Sequence, residues 1–243
     1  MKIMKNMKKT ILSLALFCLG ITPALSADFF STDQPDQLFN FGVRLGVNTS
    51  NRTVAKKAID GYNVQSWGTG FDLGVTADIN FRDYISVQPG IFFESRSGNY
   101  TFVSPIAEIA NTSITAMQAG HLRSYAFTIP VVGSLHLNVT NDIRWNADFG
   151  PYVSFLLGSS MKDKVLQYTA FGATEQVFSQ KPATIDFGFK LGTGLQILKH
   201  YYVGVHYMAG ATKAWKDFKI DSNTIRRFGG RTKAWVFTIG YDL

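Results

Sequence analysis

Hydrophobic side chains recur at every second position through eight segments of this chain, and the face they define carries no charge. The segments are 39–48, 70–81, 85–94, 123–137, 143–157, 184–198, 201–212 and 233–243. Successive side chains of a β-strand point to opposite faces, so a period of two marks strands with two unlike sides. The first segment gives Phe39, Phe41, Val43, Leu45 and Val47, and the last gives Trp235, Phe237, Ile239, Tyr241 and Leu243. Counting the fourth segment from Tyr125 and the last from Trp235, only Pro89, Gly133, Pro151 and Thr193 interrupt the apolar series. The intervening positions hold charged and polar groups or glycine, among them Gly42, Gly46, Gly74, Gly150, Gly192 and Gly204.

A soluble β-sandwich also alternates, so strand length has to decide. These segments run to about 10–15 residues, where a tilted bilayer-spanning strand needs about 9–11 and a soluble strand is nearer 5–6. An apolar outside with a polar inside is the pattern of a transmembrane β-barrel, and glycine on the inner face suits a narrow, crowded lumen. The connections agree. Segments 82–84, 138–142 and 199–200 are short, whereas 49–69, 95–122, 158–183 and 213–232 are long and polar. With eight strands, every long loop falls on one side and both termini on the other. The expected fold is therefore all-β, an eight-stranded antiparallel up-and-down transmembrane barrel. Its long loops are expected outside the cell and its termini in the periplasm.

The N-terminus reads as a separate element. Lys2, Lys5, Lys8 and Lys9 precede an apolar stretch, Ile11 to Ile21, and Ala24-Leu25-Ser26-Ala27 offers small residues for cleavage. That is the layout of a secretory signal peptide, too short to span a bilayer as a helix. Residues 1–26 are expected to be removed, 27–38 to form a short periplasmic segment, and 39–243 to form the barrel. Losing those four lysines takes the net charge from +7 to +3, so basicity gives no reason to expect nucleic acid as a partner. The single cysteine, Cys18, lies in the signal segment behind the bulky Phe17, which argues against lipidation. A mature chain without cysteine can form no disulfide and offers no thiolate chemistry.

The strand motifs resemble those of the PorT-type outer-membrane barrels of the Bacteroidetes, the outer membrane protein β-barrel domain family. The likeness covers about residues 38–243. It is carried by Phe41-Gly42-Val43-Arg44-Leu45-Gly46-Val47-Asn48, Val87-Gln88-Pro89-Gly90-Ile91 and Ile129-Pro130-Val131. It continues in Gly150-Pro151-Tyr152-Val153 and Phe187-Gly188-Phe189-Lys190-Leu191-Gly192-Thr193-Gly194. The resemblance implies an outer-membrane location and, for some members, a link to protein secretion. It brings no catalytic motif. Separately, the last strand, alternating from Trp235 to Leu243, resembles the C-terminal signal by which the barrel-assembly machinery recognises its clients, so that machinery is expected as a partner during biogenesis.

Three groups of residues remain as candidates. The inner positions hold Arg44, Asp72, Asp78, Glu94, Arg144, Asp148, Asp186, Lys190 and Asp242. A barrel of eight strands is filled by its own side chains, and buried charges persist only when paired. These residues are therefore expected to plug the lumen as an ionic network, with Arg44 or Arg144 meeting Asp72 or Asp148, instead of lining a pore. The last long loop carries Lys213, Lys216, Lys219, Arg226 and Arg227 among Trp215, Phe218 and Phe228, a composition suited to anionic outer-leaflet lipid such as lipopolysaccharide. Finally, His121 and Ser124 are the one local histidine–serine pair near the long-loop rim, read as an exposed loop histidine without an acid partner. No catalysis, cofactor or metal is expected. The leading expectation is a structural, adhesive or secretion/assembly-partner role, with a narrow passive channel as the alternative and a rim-located enzyme behind it.

Overall fold

A computed structural model describes residues 31–52, 63–109, 112–160, 162–169, 172–179, 183–213, 218–221, 224–226 and 231–243. The signal segment expected at 1–26 and residues 27–30 after it lie outside the described residues. Among the described residues twelve strands form: β1 Phe39–Arg52, β2 Asn63–Arg82, β3 Ile85–Ile109, β4 Thr112–Asn138, β5 Ile143–Ser160, β6 Lys162–Thr169, β7 Gly172–Ser179, β8 Ile185–Ile197, β9 Tyr201–Gly210, β10 Phe218–Asp221, β11 Thr224–Arg226 and β12 Thr232–Asp242. Eight of them close into one antiparallel barrel in the order β1-β12-β9-β8-β5-β4-β3-β2. Closure leaves no free edge in the wall, which is what a sheet surrounded by lipid requires.

The side-chain phase is the one the alternation dictates. Phe41, Phe71, Phe149, Leu191, Phe237 and Ile239 point outward and are exposed, while Arg44, Asp72, Asp148, Asp186 and His206 point inward and are buried. Aromatics on neighbouring strands pack along the outside, as with Phe149 and Phe189 stacked at 6.0 Å and Tyr207 against Trp235 at 4.9 Å.

The strands exceed their expected lengths at the long-loop end. Segment 95–122, read as a loop, is instead the continuation of β3 and β4, paired down to Ile109↔Thr112. His121 therefore sits within β4, opposite Asn99, and not in a loop. Segments 158–183 and 213–232 hold the small hairpins β6-β7 and β10-β11. Alternation disappears where the strands no longer separate lipid from lumen, but backbone pairing needs no such contrast. β-Propensity is a matter of side-chain fit and persists in a segment that mixes Thr101, Thr112 and Thr115 with Phe102, Val103 and Ile114.

At the opposite end the turns are tight. Between β8 and β9 the chain reverses through Leu198 and Lys199, both left-handed at φ 54° and 63°. Leu198 and Lys199 are the central residues of the turn closed by His200 N–H to Ile197 O, and a turn of this hand favours Asn-Gly, so leucine here is a strained choice. The chain before β1 crosses the same end: Asp83 N–H donates to Asp33 O at 3.2 Å, Asn80 Nδ2 to Gln37 O at 2.9 Å, and Lys199 pairs with Asp36 at 3.1 Å.

Three prolines interrupt the wall in a single row. Pairing is in register on both sides of Ala77–Pro89 between β2 and β3, of Gly90–Pro130 between β3 and β4, and of Val131–Pro151 between β4 and β5, and it lapses at each. Proline has no N–H, so the carbonyls of Ala77, Gly90 and Val131 each lose a ladder donor. The three positions follow one another directly across four strands. They bring together three motifs that lie far apart in the sequence.

Candidate functional site in the barrel lumen

Arg96 is the centre of the inner network and was not among the residues expected there. Its guanidinium lies 2% exposed inside the long-loop half of the barrel. Nε donates to Glu94 Oε2 at 2.7 Å, and a second nitrogen makes a closer contact with the same carboxylate. Nη1 reaches Asp186 Oδ2 at 3.3 Å, and Nη2 reaches Thr128 Oγ1 and Ser154 Oγ at 3.2 Å each. Tyr152 lies under the guanidinium at 5.7 Å and also donates to Asp186 at 3.4 Å. One β3 side chain thus bridges to β4, β5 and β8. Arginine suits this role because its five donors are held in a fixed planar fork.

A second cluster fills the next level. Asp148 accepts from Ser134 at 2.5 Å, contacts His206 Nε2 at 2.9 Å and accepts from Tyr202 at 3.4 Å. Arg44 stacks over the Tyr202 ring at 4.4 Å and pairs with Asp242 at 2.6 Å. Gln88 donates to Asp78 at 2.6 Å, and Lys190 Nζ sits 5.0 Å above the Phe92 ring. Asp72, Asn48 and Thr76 each keep a buried side-chain oxygen with no hydrogen-bond partner among the described residues.

These contacts correct the expected pairs. Arg44 meets Asp242, not Asp72 or Asp148, because barrel closure sets β12 beside β1 with Arg44 opposite Gly240 and Asp242 one inward step away. Arg144 meets Asp83 at 2.5 Å in the mouth at the terminal end and is 27% exposed, so it lies outside the buried network. Strand stagger, which decides both cases, is not encoded in the period of two.

The inner glycines are sockets for these side chains. A Cβ on Gly194 or on Gly204 would stand 2.5 Å from the Tyr202 hydroxyl, and one on Gly192 would overlap the His206 ring. One on Gly46 would meet the Asp72 carboxylate at 2.5 Å. The lumen is therefore packed by large polar groups set against missing side chains, the taper-filling solution for a narrow barrel.

Below this packing, at the end holding the termini, lies a polar cavity of about 320 Å³. Its lining includes Asn40, Asn80, Asp83, Asn138, Arg144 and Lys199. One inward step deeper, Ser86 Oγ and His136 Nε2 are 2.8 Å apart, and His136 Nδ1 and Asn146 Oδ1 are 2.8 Å apart.

The other candidates fare differently. Ser124 is buried and its hydroxyl donates to Arg96 O at 3.4 Å, so it takes part in wall packing. Lys213 is exposed; Lys219 and Arg226 fall on β10 and β11; Lys216 and Arg227 lie outside the described residues.

An eight-stranded closed barrel with an apolar outside and a polar, packed lumen defines an outer-membrane β-barrel protein. Residues 30–214 match the family described as outer membrane protein beta-barrel domain, and the chain belongs to that family. Among solved structures it is similar to the outer membrane protein OprG from Pseudomonas aeruginosa, at 12% identity and a TM-score of 0.46 over 87% of this chain and 99% of that one. It is also similar to Ail, the attachment invasion locus protein of Yersinia pestis, solved with the heparin analogue sucrose octasulfate, at 13% identity and 0.37 over 85% and 100%. For Neisserial surface protein A the values are 8% and 0.39 over 83% and 96%. No curated protein matches the sequence.

Proposed function

We propose that this is a PorT-type barrel, sealed to solutes, that serves as a structural, adhesive or secretion/assembly-partner element of the outer membrane and not as a transport pore. The observation that carries the reading is the Arg96 cross-link. Asp186, Ser154, Thr128 and Tyr152 around it are each 0–1% exposed, which supports a seal at that level. A barrel closed in this way offers its partners only its outer wall and its two ends. In this reading the chain is exported by a Sec-type signal peptide, residues 1–26, which is then removed; its termini and tight turns face the periplasm, and the β3–β4 hairpin and the other long connections face outward. The basic set Lys213, Lys216, Lys219, Arg226 and Arg227 then meets anionic lipid such as lipopolysaccharide, and the barrel-assembly machinery inserts the chain. The PorT assignment rests on the order of the short motifs in β1, β3, β4, β5 and β8.

The test is conductance of the purified protein in planar bilayers. The expected result is no unitary current; steady porin-sized steps would overturn the seal and establish the channel. Pull-down of the native protein from outer membranes identifies the partner.

A further inference from the structure

Ser86, His136 and Asn146 stand on three successive strands, β3, β4 and β5, and are linked in a chain of two contacts of 2.8 Å. Asn146 Oδ1 can only accept, so His136 Nδ1 carries the proton and Nε2 presents a lone pair to the Ser86 hydroxyl. That is the tautomer a general base needs toward a serine, with the third residue fixing the ring, and the arrangement is recognised by geometry and not by sequence order. We infer that Ser86, His136 and Asn146 form a nucleophile, base and orienting group that act on small neutral esters entering from the terminal-end cavity. This goes beyond the sealed-barrel reading and departs from the non-catalytic expectation drawn from the sequence. It is independent of that reading, because the set lies on the cavity side of the Arg96 level.

The position supplies a route. Asn80 is the direct cross-strand neighbour of Ser86 and lines the cavity; Asn138 and Arg144, which also line it, flank His136 and Asn146 at one inward step. His136 and Asn146 are each 7% exposed, whereas Ser86 is fully buried beside Asn80. Asn80 Nδ2 is tied to Gln37 O of the chain that crosses the mouth. Asn80 therefore stands between the cavity and Ser86, and its displacement is the first step of a path to Oγ.

The chemistry of the lining selects the substrate class. A volume near 320 Å³ is at the small end for ligand sites and suits short acyl groups better than a phospholipid. Asp36 and Asp83 are already paired with Lys199 and Arg144, leaving Asp142 in the lining to repel anions. A neutral asparagine holds the histidine but adds no charge to stabilise an imidazolium, which favours esters with good leaving groups over amides. In the step, Ser86 Oγ bonds to the acyl carbon while its proton passes to His136 Nε2. The bond to the leaving alkoxide then breaks and the alkoxide takes that proton. Water repeats the sequence on the acyl-serine, so ester and water give carboxylic acid and alcohol.

The experiment treats the intact protein, purified from outer membranes in detergent, with phenylmethylsulfonyl fluoride and reads the adduct by peptide mass. The expected result is a single adduct on Ser86, at least tenfold slower in His136→Gln, retained in Asn146→Asp and faster in Asn80→Ala. Heat-modifiable gel migration confirms that each variant is folded, and p-nitrophenyl acetate hydrolysis should fall in parallel with labelling. Absence of an adduct on Ser86 in the folded wild type, or an equal rate in His136→Gln, overturns the proposal. Conductance is unaffected by either result, so failure here leaves the sealed-barrel reading separately testable.

Discussion

The guanidinium of Arg44, on the first strand of the barrel, meets the carboxylate of Asp242, at the end of the last, at 2.6 Å inside the lumen. The pair spans the seam where the two ends of the sheet join, and both side chains are 3% exposed. Removing one member strands a buried charge, which costs ~3–5 kcal/mol, whereas replacing both by apolar groups of like size can be neutral. Arg44→Met should therefore lower the unfolding midpoint in urea sharply, and Arg44→Met with Asp242→Leu should restore most of it. Equal losses in the single and double variants would show that the loss does not come from a stranded carboxylate.

Arg96→Ala should be the more damaging change. It leaves both Glu94 and Asp186 without their cation and empties the centre of the packing, for a loss on the order of 3–5 kcal/mol. Folded molecules of this variant should also pass small ions where the wild type does not. Arg144→Ala, at the half-open mouth, should cost less than Arg96→Ala, because a solvated pair contributes little. A thermal series of gel migration ranks the two.

The two faces of β4 offer a direct comparison. Ile129 points to lipid in the middle of the strand, and a charge at mid-bilayer on a barrel costs ~2–4 kcal/mol. Ile129→Arg should block assembly. Thr128→Arg should fail for a different reason, by crowding Arg96 and Ser154, both about 3.2 Å or less from its hydroxyl. Assembly yield in outer-membrane fractions reads the first. Normal assembly of Ile129→Arg would mean that the faces are inverted.

Leu198 and Lys199 hold left-handed backbone without the residues that favour it. For ordinary side chains that conformation costs roughly 1–2 kcal/mol per residue. Leu198→Asn together with Lys199→Gly should raise stability by a part of that sum, seen as a higher urea midpoint with an unchanged slope.

The barrel, its strand count and the inward or outward direction of nearly every wall residue were legible in the sequence, because lipid outside and a polar lumen impose opposite demands on alternate positions. The ion pairs were not. Whether Arg44 meets Asp72, Asp148 or Asp242 depends on stagger between strands, and shifting a strand by two residues preserves the alternation while changing every partner. Arg96 was hidden for another reason. From Glu94 through Gly98 every residue is buried, so the alternation that marked β3 ends before the residue that organises the lumen. The link between Ser86, His136 and Asn146 is equally a product of register, since the three residues lie 50 and 10 positions apart.

The row of prolines across β3, β4 and β5 has a mechanical consequence. Pulled from either end, a barrel yields hairpin by hairpin, and the resistance of each hairpin is set by the bonds that must be sheared together. The contacts of β3 with β2 and β4, and of β4 with β5, each lack one bond at the same height. A lateral squeeze in the bilayer would therefore crease the wall along that line before it bent the unbroken ladder of β5 and β8. The barrel has a soft side and a stiff side, and its cross-section should flatten in one direction only.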